Sequence, residues 1–150
     1  MGNAQSSIRL QQTVSQADAI AEITSGAGVT IDGALIKDTA VYGRTPCGAL
    51  SASGAVPLTA YNKVYIITKA GVAALTIANP TAGDHDGVEL TFISATAQAH
   101  TLDNSAGAGF NNQGSAKDVG TWGGAIGDKL VIVAYNGKWY VKDNLNVTLA

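Results

Sequence analysis

The chain has 150 residues, 18 of them glycine, with only 13% charged residues and a formal net charge of −2. It is long enough to bury one core, and too apolar for disorder, which combines high charge with few apolar groups. No basic run offers phosphates a footprint, so a nucleic-acid partner is not expected. Apolar runs such as Leu130–Ala134 fall far short of a membrane span, so no membrane is expected either.

Residues 1–24 form an arm unlike the rest. Ile8, Leu10, Val14, Ile20 and Ile23 are scattered among Gln, Ser and Ala. Ser15 followed by Asp18 is a capping pattern, which predicts a short helix over about 15–23. Such a helix is too short to be stable alone, so the arm must dock on something. The start of the chain lacks the layout of a secretory signal, and the lone Cys47 excludes an internal disulfide. Synthesis in a compartment that needs no oxidant is therefore expected.

A glycine-rich ribbon and linker follow over 25–58. Val29 and Ile31 alternate with Thr30 and Asp32, Asp32-Gly33 signals a turn, and Ala34–Asp38 reads as the returning strand. A lone hairpin is marginal in water, so this ribbon needs a partner surface. Residues of about 42–58, rich in Gly, Pro and Ser, read as a loop or linker.

From 59 to 150 strand follows strand. Lys63–Lys69 and Ala73–Asn79 flank Ala70-Gly71, and Val88–Ala97 and Ala99–Asn104 come next. A glycine-rich loop over about 105–125 carries Phe110 and Trp122. The last element has the strongest local signal, two β-rich runs around Asn136-Gly137, a pair suited to a type I′ turn. That turn predicts Tyr135 opposite Lys138, Ala134 opposite Trp139, Val133 opposite Tyr140 and Ile132 opposite Val141. Ile132, Ala134, Trp139 and Val141 should then face the core. The expected architecture is all-β: a compact C-terminal sandwich or barrel behind an extended arm and ribbon.

No motif assembles an active site. His85 and His100 have no evident catalytic partner, and Cys47 lacks a basic or metal-ligating neighbour, which suits a small buried or interfacial thiol. Asp84–Gly87 resembles a fragment of a calcium loop without its remaining ligands, so turn chemistry explains it better. The loop Ser105–Gly114 lacks the Lys-Ser/Thr of a phosphate loop. No enzyme activity, metal or cofactor is expected.

The stretch Ile23–Val41, with Ser25–Gly33 reading SGAGVTIDG, resembles a segment recurrent in virion proteins of tailed bacteriophages. Residues 78–102 and 122–141 are similar to the β-rich C-terminal domain of small head-fibre or capsid-decoration proteins. The resemblance implies a homotrimer on the capsid surface, made in the bacterial host cytoplasm, with its N-terminal part toward the shell. Ile8, Leu10, Val14, Ile20 and Ile23 would then contact the major capsid protein. The ribbon would pack against its own symmetry mates through Val29, Ile31, Leu35 and Ile36, each copy covering the others' exposed edges. The alternative is a tail-fibre or receptor-binding tip, in which Phe110 and Trp122 would contact the host cell surface. A carbohydrate-binding module or enzyme would need a row of exposed aromatics or a carboxylate pair, and aromatics make up only 6% of the chain.

Overall fold

A computed structural model describes residues 45–150 and the backbone of 35–37 and 40–42. Residues Thr45–Ala150 form one compact unit. In the preceding unit, β1 (Leu35–Lys37) pairs antiparallel with β2 (Ala40–Tyr42), Leu35 opposite Tyr42 and Lys37 opposite Ala40. Leu35–Lys37 therefore pairs with a strand that follows it. The expected partners Val29 and Ile31, the arm residues Ile8, Leu10, Val14, Ile20 and Ile23, and the helix over 15–23 lie outside the described residues.

The compact unit is all-β apart from one 3-10 turn at Gly114–Ala116. Its strands are β3 (Cys47–Leu50), β4 (Gly54–Ala55), β5 (Lys63–Ile67), β6 (Ala74–Thr76), β7 (Glu89–Ser94) and β8 (Thr101–Asp103). The remainder are β9 (Val119–Trp122), β10 (Lys129–Tyr135), β11 (Lys138–Leu145) and β12 (Val147–Leu149). They build two five-stranded sheets, ordered β11-β10-β7-β5-β3 and β12-β9-β8-β6-β4.

From β3 to β8 the chain alternates between the sheets, so β3, β5 and β7 run parallel in one while β4, β6 and β8 run parallel in the other. This first half is a coil in which each strand stacks beside one laid down a turn earlier. From β9 onward the chain reverses and every pairing is antiparallel. Lys63–Lys69 and Ala73–Asn79, which the sequence brackets around Ala70-Gly71, thus belong to different sheets. The expected linker over 42–58 contains β3 and β4, the edge strands of the two sheets.

Period-two patterning explains the core. Along β7 the odd-numbered Glu89, Thr91 and Ile93 are half-buried, and Leu90, Phe92 and Ser94 are buried. Tyr65 and Ile67 from β5, and Leu130, Ile132 and Ala134 from β10, share that inner face. Leu75, Leu102, Trp122 and Val147 from the second sheet join them in one buried cluster. Tyr65 stacks on Phe92 with ring centroids 5.4 Å apart. Buried aromatics with a polar handle find partners: Tyr65 Oη donates to Pro57 O at 2.6 Å and Trp139 Nε1 to Ala78 O at 2.9 Å.

The final hairpin has the register its turn demands. Tyr135 pairs with Lys138, Ala134 with Trp139, Val133 with Tyr140 and Ile132 with Val141. Asn136 and Gly137 take φ of 48° and 72°, as a type I′ turn requires. Beyond Ile132 the register shifts, since Val131 pairs with Asp143 and Lys142 is the extra residue of a bulge.

Candidate functional site

The groups most able to do chemistry are built into the frame. His100 directly precedes β8 and has no exposed surface. Its Nδ1 accepts the backbone N–H of Ala73 at 3.0 Å, which places the ring proton on Nε2. Nε2 donates to Thr96 Oγ1 at 2.9 Å, and that hydroxyl donates to Lys69 O at 3.0 Å. The ring therefore brackets the β5–β6 crossing to the β7–β8 crossing. Burial, and secondarily the Lys69 charge, hold its pKa below the usual imidazole value. An imidazole with both nitrogens engaged in this way has no lone pair left for a substrate proton.

Asp128, also buried, is consumed similarly. Its carboxylate accepts the Ala125 N–H at 2.8 Å and the Asn146 amide at 3.0 Å. Its carbonyl accepts Trp122 Nε1 at 3.1 Å and the Ser94 N–H. These bonds tie the β9–β10 loop to the bend between β11 and β12. Asp86 Oδ1 accepts the Asn136 N–H at 2.7 Å, so Asp84–Gly87 acts as turn chemistry beside the last hairpin. Among the described residues no three His, Cys, Asp or Glu converge as metal ligands.

Phe110 and Trp122, expected on an outer contact loop, are core residues with 0% and 1% exposure. Neither can touch an outside ligand. Phe110 forms a β-bridge with Trp139. The next residue, Asn111, donates its N–H to Trp139 O at 2.8 Å and accepts the Val141 N–H at 2.9 Å. The glycine-rich loop thus covers the outer edge of β11 at this point. Trp122 carried a readable signal, since Val119-Gly120-Thr121-Trp122 alternates outward and inward. Phe110 carried none, because its burial depends on the left-handed turns at Gly109 and Asn111.

Cys47 is exposed on edge strand β3, so the buried alternative for this thiol does not hold. Leu35 and Ile36 occupy β1. The end of the unit that carries β3 and β4 differs from the other. Both are sheet-edge strands, and a cavity of about 300 Å³ opens beside them, lined by Ala49–Ala55, Pro57 and Leu75. Its lining holds no titratable side chain. This end can offer backbone pairing and apolar contact, which is binding chemistry. No family model and no curated protein matches the chain.

Proposed function

We propose that this chain is a bacteriophage virion structural protein that decorates the capsid as a homotrimer. The arm carrying Ile8, Leu10, Val14, Ile20 and Ile23 binds the major capsid protein, and the β unit faces outward. The observation that carries this reading is the resemblance of Ser25–Gly33 and its surroundings to phage virion proteins. Two features of the structure support it. The interior His100 and Asp128 are spent on bracing loops, as a durable binding scaffold needs. The unit from Thr45 onward has its own core, which leaves the N-terminal segment available for attachment. The tail-tip alternative relied on Phe110 and Trp122, and their burial removes its contact residues.

Quantitative mass spectrometry of virions from the phage that encodes the chain tests the reading. Hundreds of copies per particle are expected for shell decoration. A handful of copies, or none in purified virions, would overturn it.

A further inference from the structure

The tip of the last hairpin joins two groups that can react with each other. The side-chain carbonyl carbon of Asn136 is an electrophile, and the nitrogen of Gly137 is a nucleophile with no side chain to shield it. Asn136 is exposed, and its side-chain amide takes part in no hydrogen bond among the described residues. The Gly137 N–H donates to no carbonyl among them. The turn is held instead by the Tyr135–Lys138 pair and by the Asn136 N–H, which Asp86 Oδ1 accepts at 2.7 Å. Both reacting groups are therefore free.

The turn itself favours their reaction. A five-membered imide joining Asn136 Cγ to the Gly137 nitrogen sets ψ of residue 136 near about −120°, the value at the first central position of a type II′ turn. Types I′ and II′ both place a positive φ at that position, and both suit a two-residue hairpin. Asn136 already has φ 48°, so rotation of the one peptide plane between Asn136 and Gly137 carries the turn from the first type to the second. Gly137 then leaves φ 72° for a negative value, a change that glycine makes without steric cost. The strands need not part.

We propose that Asn136 is a self-modification site, converted through a cyclic imide to aspartate and isoaspartate while the hairpin stays folded. The Gly137 nitrogen loses its proton to solvent base and attacks Asn136 Cγ. A C–N bond forms, the Cγ–Nδ2 bond breaks, and the nitrogen leaves as ammonia. Water then opens the ring at Cγ to give aspartate, or at the backbone carbonyl to give isoaspartate. No oxidant or reductant enters. The other described asparagines are less free. Asn62, Asn104, Asn111, Asn144 and Asn146 spend their side-chain amides in hydrogen bonds. Asn79 precedes Pro80, which has no N–H, and Asn112 precedes Gln113, whose N–H donates to Phe110 O. Isoaspartate adds a methylene to the backbone between Tyr135 and Lys138, so a two-residue turn no longer sets the register of β10 and β11.

Peptide mapping of the full-length chain, held folded in warm neutral buffer and sampled over time, tests this. Electron-transfer fragmentation distinguishes aspartate from isoaspartate at each position. Conversion is expected at Asn136 at least about tenfold faster than at any other described asparagine, which corresponds to a barrier lower by about 1.4 kcal/mol. Isoaspartate should be among the products, and the rate should rise with pH because the attacking nitrogen must lose its proton. Asn136→Gly keeps a Gly-Gly turn suited to type I′ and removes the electrophile. It should abolish conversion at the tip with unchanged emission from the buried Trp139. Faster conversion at another asparagine would overturn the site. An Asn136 that stays intact in the folded chain would also overturn it, and conversion only after unfolding in urea would show that the turn shields the pair. Aspartate without isoaspartate would refute the cyclic route. The wild-type map decides these points even where the glycine variant does not fold.

Discussion

Trp139 has no exposed surface and holds its indole N–H against Ala78 O. Trp139→Ala is expected to cost about 3–5 kcal/mol, since it opens a large cavity in a domain whose total stability is of order 5–15 kcal/mol. Its neighbour Tyr140 lies half-buried on the outer face, so Tyr140→Ala should cost the isolated chain less. Urea denaturation of the two variants decides it, and a larger loss for Tyr140→Ala would mean that the sheet is inside out. His100 makes a second prediction. Its folded pKa lies below the ordinary value of 6.5, so between the two values the unfolded chain binds the extra proton. Protonation then favours unfolding, and stability should be full above about pH 6.5 and fall as the pH drops toward the folded pKa. The structural reason is that a proton on Nδ1 would face the Ala73 N–H. Asp103, bonded to Ser105, and Asp143, bonded to Lys129, are also depressed, but carboxylates lose their contribution only near pH 4 and below. Urea midpoints at pH 7.5 and 5.5 should therefore separate for the wild type. The separation should shrink for His100→Gln.

At the level of elements, the loops carry much of the specification. Gly123 has no room for a side chain, because a Cβ there would run into the Asn146 amide. Asn146 itself sits at φ 56° to reach Asp128. Gly123→Ala should displace that amide and leave one oxygen of a buried carboxylate unpaired, at a cost of about 1–3 kcal/mol. A thermal melt indistinguishable from wild type would show that the bend can relax freely. The last hairpin was legible in the sequence because its information is local: Asn136-Gly137 selects a turn, and the turn sets every pair from Tyr135–Lys138 to Ile132–Val141. The all-β class was legible for the same reason, in the alternation along Glu89–Ser94. The coil of β3 to β8 was not. Ala70-Gly71 reads equally well as a hairpin turn or as a crossing between layers, and only the later arrival of β7 beside β5 distinguishes them. β3 and β4 were hidden because their residues are small and mostly exposed, which resembles a linker. Phe110 was misplaced because an aromatic among glycines looks exposed until the loop is seen folding back along β11, whereas Trp122 was misplaced because the alternation of the short strand Val119–Trp122 was read as part of that loop.

At the scale of the whole molecule, the buried cluster among the described residues runs from Val56 to Val147, so folding of the β unit and attachment by the arm should be separable. A fragment of residues 45–150 should unfold cooperatively, with both tryptophans in apolar surroundings. Loss of the cooperative transition would show that the N-terminal unit completes the core. The decisive variant removes less. A chain starting at residue 24 keeps the β1–β2 pair and the ribbon, and loses Ile8, Leu10, Val14, Ile20 and Ile23. Under the proposed function, each of those side chains, if fully buried on a capsid subunit, would contribute about 1.5–3 kcal/mol, and three arms on one trimer would add avidity. The truncated chain should therefore sediment as the wild type does and fail to bind capsids stripped of this protein. Binding with undiminished affinity would place the anchor elsewhere, and the edges of β3 and β4, which pair with no further strand among the described residues, would become the first place to look. Loss of the oligomer together with binding would instead make the arm part of the subunit contact.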